Sequence, residues 1–365
     1  MVAARVSRLL GLAVVTTGLL FSPQVMAEDY RTYNKRLVEN YIRPQFTRMV
    51  SVFEGLEGAT EVVCSTPSES AQKAFSGAFT ASVKALAQVD FLRFGPLAAE
   101  NRSQRLAFLP DSRSVTRRQI NKLLANPDEK ATKAATLKTK SVALQGLTAL
   151  ERIAFGSDGQ VILGTGTDNE AFVCSYANAI GQRLVLTAKE LVAEWNDPDG
   201  YSKELLDPDP SHQLIKTDRE AAELTYNSLV TALVIVKDQI LLPVVGKTAE
   251  KAKPYRAPFA RSHNALAYLS ANLHGIDSSI QAADYAEGLT EDQKWATDSL
   301  TFEFMNAQRT LETIRGPLNE TAREPDVRDQ LSYLIVIVDG VKEVLATDIS
   351  GYLGLSGGFN ALDGD

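Results

Sequence analysis

From residue 30 onward, apolar positions recur every three to four residues in long stretches, and several stretches open on the same polar signal. TPSE at 66–69, NPDE at 126–129, TDNE at 167–170, TDRE at 217–220 and TEDQ at 290–293 each place a Thr or Asn three residues before Glu or Gln. A side-chain oxygen there accepts from the amide three residues on, and the Glu or Gln reaches back to the cap amide. These starts predict helices near 30–56, 68–93, 113–125, 128–155, 168–195, 217–244, 258–284, 291–315 and 325–348. Strand alternation is nowhere sustained. The β-branched runs LVTALVIV (229–236) and LSYLIVIV (331–338) lie inside long capped segments and read as buried helix. NDPDGYSKELLDPDPSHQ (196–213) cannot continue a helix and marks a boundary. The expected organisation is all-α, two helical bundles in tandem over 28–205 and 206–350, with a tail at 351–365.

The first residues depart from this rhythm. Arg5 and Arg8 precede an apolar run from Leu9 to Phe21, and Val25-Met26-Ala27 is a small-x-small cleavage pattern. The run is short of the ~20 residues a spanning helix needs. Residues 1–27 therefore read as a cleaved signal peptide, and no second apolar run is long enough to span a membrane. Cleavage removes two Arg and no acid, which takes the net charge from −7 to −9. Such an acidic chain is a poor match to nucleic acid or anionic lipid. A periplasmic or cell-envelope location follows. In that oxidising compartment the two cysteines, Cys64 and Cys174, are expected to form a disulfide.

Familiar catalytic motifs are missing. VGKT at 245–248 has Leu241 where a phosphate loop requires Gly, and it follows a helix. The three histidines, His212, His263 and His274, form no zinc-type spacing, and no Gly-x-Ser-x-Gly occurs. His274 and Asp277 read as a solvated surface pair.

Two stretches carry more information. In SVALQGLTALERIAFG (141–156), helical spacing gathers Gln145, Thr148, Glu151 and Arg152 into one sector of an otherwise apolar helix. That sector faces either water or an internal polar site. In YRAPFARSHNALAYLSANL (255–273), Arg256 and Arg261 flank an expected helix start at Pro258. Arg near a helix amino terminus opposes the dipole and needs an acidic partner. Glu151, Asp363, Asp365 and the terminal carboxylate are available.

GLTALERIAFG, RAPFARS…ANL and the closing GFNALDGD, with FGP at 94–96 and FLPDSR at 108–113, resemble the imelysin-like family of bacterial envelope proteins in that order. The resemblance covers essentially the whole mature chain. It implies two helical bundles with a site between them, a link to iron uptake, and a family activity described as an insulin-cleaving metallopeptidase. Gly146 and Glu151 match the family's Gly-x-His-x-x-Glu helix, but its His position is Thr148 here. Thr is a weak ligand, so the metal pair loses its nitrogen donor, and His263 is the one substitute nearby in the second motif.

The leading expectation is a non-catalytic periplasmic protein that binds a metal ion or small ligand connected with iron acquisition. Glu151, Thr148, Arg152, Arg256, Arg261, His263, Asp363 and Asp365 are the candidate contacts, with Gly146 and Phe359 as structural motif positions. Carboxylates suit iron or another hard cation and Arg suits an anionic chelate, so the cofactor stays open. A metallopeptidase and a scaffold for another envelope protein are the alternatives. The tail is expected to fold back towards the cleft.

Overall fold

In the computed structural model the chain is described over residues 23–166 and 169–356. The helix α1 (Pro23–Leu37) runs through a π-helical stretch into α2 (Arg43–Ser65). Then come α3 (Glu69–Ala87), α4 (Val115–Ala125), α5 (Gly146–Ala154), α6 (Glu170–Asn196), α7 (Asp218–Val234), α8 (Ala265–Ala283), α9 (Trp295–Thr313) and α10 (Pro325–Glu343). Among the described residues no strand forms beyond one isolated antiparallel bridge, Phe155 with Val161. The all-α expectation holds.

α2 packs along α3 and α6, and α5 lies on α6 with α4 against it. In the second half α8 packs on α9, α9 on α10, and α10 on α7. The halves interleave: α1 lies on α7 and α8, and α8 packs on α3. A single buried apolar cluster runs through both. Tyr268 donates to Asp90 at 2.7 Å, and Asn272 donates to the Ala87 carbonyl at 2.9 Å, so the α3–α8 contact is polar as well as apolar. Cys64 and Cys174 are disulfide-bonded, joining the end of α2 to the start of α6.

Local chemistry explains where the elements begin. Thr217 and Glu220 form the full reciprocal cap of α7, as the spacing predicts. Thr66 does not cap α3, because its amide still bonds Val62 at the end of α2; Ser68 caps instead, accepting from Ala71 at 3.1 Å. Two predicted helices start late. The stretch 128–155 is helical in earnest only from Gly146, after a string of short turns. Gly146 has φ +72°, and a Cβ there would sit 2.3 Å from the Leu106 carbonyl oxygen. That close approach breaks the helix and leaves Gln145 outside it. The stretch 258–284 becomes helical only at Ala265; residues 254–264 form an irregular strap in which Phe259 and His263 have positive φ. Arg256 and Arg261 therefore lie on the strap and not at a helix start.

Against the expectation that no second apolar run is long enough to span a membrane, Asp218–Val245 meets that length and composition, with half of its most apolar portion buried within the protein. The signal-type segment up to residue 22, the Thr167 cap, and Phe359, Asp363 and Asp365 of the tail lie outside the described residues.

Candidate functional site

The site is assembled from three pieces of chain. The first is the loop 107–114. The Phe108 amide donates to the Thr148 hydroxyl at 3.1 Å, which ties this loop to α5. Both carboxylate oxygens of Asp111 accept from the first turn of α4, from Val115 at 2.7 Å and Thr116 at 2.9 Å. That cap sets the direction of α4 and places Arg117 in its first turn.

The second piece is α5, which carries Thr148, Glu151 and Arg152. Glu151 is only 9% exposed. Its Oε1 accepts from the Ser262 amide at 2.9 Å and from the Ser262 hydroxyl at 2.8 Å. Burial pushes this carboxyl above its ordinary value, against the opposing pull of the Ser262 donors and the Arg261 charge.

The third piece is the strap. Arg261 Nε donates to the Phe155 carbonyl at 2.5 Å, and Arg256 donates to the Ser112 carbonyl at 3.2 Å. Behind it the rings of Phe75, Phe79, Phe155, Phe259 and Tyr268 form a chain, with Phe79 and Phe155 centroids 4.9 Å apart and Phe259 and Tyr268 5.6 Å apart. Each such pair adds about 0.5–1.5 kcal/mol beyond its burial. The strap is thus held to α5 by the Glu151 carboxylate and to α3 by the edge-on contact of Phe259 with Phe79, at 6.1 Å between centroids.

Between these walls lies a cleft of about 520 Å³, within the range of small-ligand sites. Thr148, Glu151, Arg152, Arg256 and Arg261 all line it, so five of the residues proposed from the sequence converge. His263 does not. Its ring lies against Gly159, with Nε2 3.6 Å from Glu320 Oε1. The lining also includes Arg117, Asp111, Tyr255 and Gln239, which sequence reasoning missed. Arg117 carried a usable signal: the dipole argument applied to Arg256 and Arg261 applies equally to an Arg in the first turn of α4. Gln239 carried none, because a π-helical stretch (Ile235–Leu241) sets its direction.

The balance of charge in the cleft is positive. Four arginines line it, and among the described residues none of the four has a carboxylate within 4.0 Å, although the charges of Glu151 and Asp158 act on Arg261. Burial, followed by the charges of Arg261 and Arg117, holds the Arg152 guanidinium below its usual range. Arg261 is lowered too, by burial, with Glu151 and Asp158 opposing the shift.

The imelysin family profile matches residues 42–346. The chain belongs to the imelysin family. No curated protein matches it. An imelysin-like protein from Psychrobacter arcticum 273-4 is similar in structure, with a TM-score of 0.76, 18% identity, and coverage of 91% of this chain and 98% of that one. A protein from Parabacteroides distasonis ATCC 8503, described as an iron-regulated protein A precursor, superposes with a TM-score of 0.67 at 15% identity, covering 87% and 95%. At these identities the likeness is one of fold.

The metal that a metallopeptidase reading of this imelysin would require does not fit the described residues. No group of three or more His, Cys, Asp or Glu side chains among them is placed to hold a metal ion. Thr148 stands at the motif's His position and its hydroxyl already accepts from Phe108. Glu151 is engaged by Ser262, and the surrounding charges are cationic. A bare cation would meet guanidiniums instead of ligands.

Proposed function

We propose that this imelysin is an iron-related protein of the bacterial envelope, exported by cleavage after residue 27, which binds a small ligand in the cleft between its two halves. Recognition rather than catalysis is its task in this reading, with bundles over 28–205 and 206–350 supplying opposite walls. The observation that carries it is the convergence of Thr148, Glu151 and Arg152 from α5 with Arg256 and Arg261 from the strap on one cleft. The iron connection draws its support from family membership and from the iron-regulated description of the Parabacteroides relative. Calorimetric titration with iron(II), iron(III) citrate, haem and a hydroxamate siderophore tests it. Saturable one-to-one binding that Arg261→Gln weakens at least tenfold is the expected result. No saturable binding by any of them, or binding indifferent to Arg261, would overturn the proposal. Chelator-sensitive peptide cleavage by the purified protein would favour the metallopeptidase instead.

A further inference from the structure

The arginines differ from ordinary surface cations in one respect. Arg102, Arg183 and Arg93 each meet a carboxylate, at 2.5 Å for Glu194, 2.5 Å for Glu190 and 2.7 Å for Asp90, whereas the part-buried Arg43 and Arg328 donate to the carbonyls of Trp195 and Val245. The first three have a counter-charge built in, which offsets the cost of desolvating a guanidinium. Arg152 and Arg261 are part-buried without a carboxylate within 4.0 Å among the described residues, and what sets them apart is that they line one cleft together with the more exposed Arg117 and Arg256. The two acids in the cleft do not restore the balance. Asp111 spends both oxygens on the first turn of α4, and Glu151 accepts from Ser262.

We infer that the cleft selects a small polyanion with at least two separated oxyanionic groups, carboxylate or phosphate, gripped by Arg117 and Arg152 on one wall and Arg256 and Arg261 on the other. Glu151 is a positioning residue that holds the strap and is not a ligand. The inference rests on the cleft being the ligand site, as proposed above, and adds the class of ligand. The fork of a guanidinium matches two oxygens of either group, and pairs on opposite walls require charge at two places. The hard cation expected from the carboxylates, if carried at all, arrives already wrapped in an anionic chelate. Tyr255, 71% exposed on the strap, leaves the cleft mouth open to such a bulky guest.

Titration of the full chain with citrate, inorganic phosphate, iron(III) citrate and ferrous chloride, at low and at physiological salt, tests this. Citrate and iron(III) citrate should bind, with affinity falling as salt rises, because the site is part-exposed and charged. Arg152→Gln and Arg117→Gln should each weaken citrate binding roughly tenfold or more, as expected for a lost charge-assisted pair. Glu151→Gln keeps an acceptor for Ser262 and removes a negative charge, so it should bind citrate severalfold more tightly. Thermal melts confirm that each variant is folded. Displacement of citrate by equimolar phosphate would mean that one oxyanionic group suffices and would overturn the requirement for two; no displacement supports the polyanion. Tight binding of ferrous ion that Glu151→Gln abolishes and the arginine variants spare would overturn the inference and leave the ligand-binding proposal standing. Failure of citrate, phosphate and iron(III) citrate to bind would sink the inference, while the ligand-binding proposal would still be decided by haem and the siderophore.

Discussion

Glu151 is the residue whose replacement discriminates best between a structural anchor and a ligand. Its carboxylate satisfies two buried donors of Ser262, the amide and the hydroxyl. Glu151→Ala leaves the Ser262 amide without a partner, at about 1–3 kcal/mol, leaves the hydroxyl only the Phe259 carbonyl at 3.2 Å, and opens a small cavity as well. Removing a buried carboxylate returns part of that cost. The expected net loss is about 2–4 kcal/mol of unfolding free energy near neutral pH, for Glu151→Ala. Glu151→Gln retains size and an acceptor and should stay within about 1 kcal/mol of wild type, or exceed it. The pH dependence sharpens the test. Burial raises the folded-state value of this carboxyl above its ordinary 4.5, so between the two values the native state holds the proton more firmly than the unfolded chain. The Glu151 contribution is therefore fully present below 4.5 and is lost as pH climbs through the raised folded value. Denaturant unfolding of wild type and Glu151→Gln from acid to neutral pH reads this directly. The wild type should lose stability relative to the Gln variant as pH rises, then level off. A difference independent of pH, or Glu151→Ala as stable as wild type, would refute the assignment of a buried, raised carboxyl that anchors the strap.

Three further outcomes follow from other parts of the fold. Reducing the Cys64–Cys174 bond, which spans 110 residues, should lower stability by about 4–5 kcal/mol in the chain-entropy picture, read as a drop in Tm on adding reductant. Gly146→Ala puts a methyl 2.3 Å from the Leu106 carbonyl oxygen at φ +72°, so it should cost several kcal/mol in denaturant unfolding, whereas Gly77→Ala, whose Cβ meets nothing, should be neutral or stabilising. Deleting 357–365 tests the tail. The Ser356 amide is held by Glu223, and from there to Gln239 the helix runs about 24 Å. Nine extended residues reach about 30 Å, so the acidic end arrives at the cleft mouth only when drawn out. There it would compete with an anionic ligand, and the truncated chain should bind citrate more tightly at low salt; equal affinity would remove the tail from the site.

Much of the architecture was legible because helix starts have local causes. The Thr217–Glu220 cap and the helical state of the β-branched runs of α7 and α10 follow from side-chain reach and length, although the run of α10 is not fully buried, with Tyr333 and Val336 exposed, and the oxidising-compartment argument paired the cysteines correctly. What was not legible depends on contacts distant in sequence. Residues 128–145 look helical one by one, but the carbonyl that forces Gly146 into positive φ belongs to Leu106, forty residues away. The strap has Pro, Ala and Arg in helix-like order, yet Glu151 captures the Ser262 amide and holds the backbone in turns until Ala265. The candidate site was half visible for the same reason. Glu151, Arg152, Arg256 and Arg261 stood out as polar residues in apolar stretches, while Arg117 looked like one charge among many on a basic helix until the loop 107–114 turned it into the cleft.

The exchange at Thr148 ties these points together. Thr148 accepts from the Phe108 amide at 3.1 Å, draws the loop 107–114 against α5, and so brings Asp111 to the start of α4 and Arg117 to the cleft. The Thr148 hydroxyl is thus engaged in holding the loop that forms one wall of the cleft. The same residue that weakens a cation site helps to build an anion site, and the positive balance of the cleft belongs to the way this sequence folds, not to an incidental surplus of arginine.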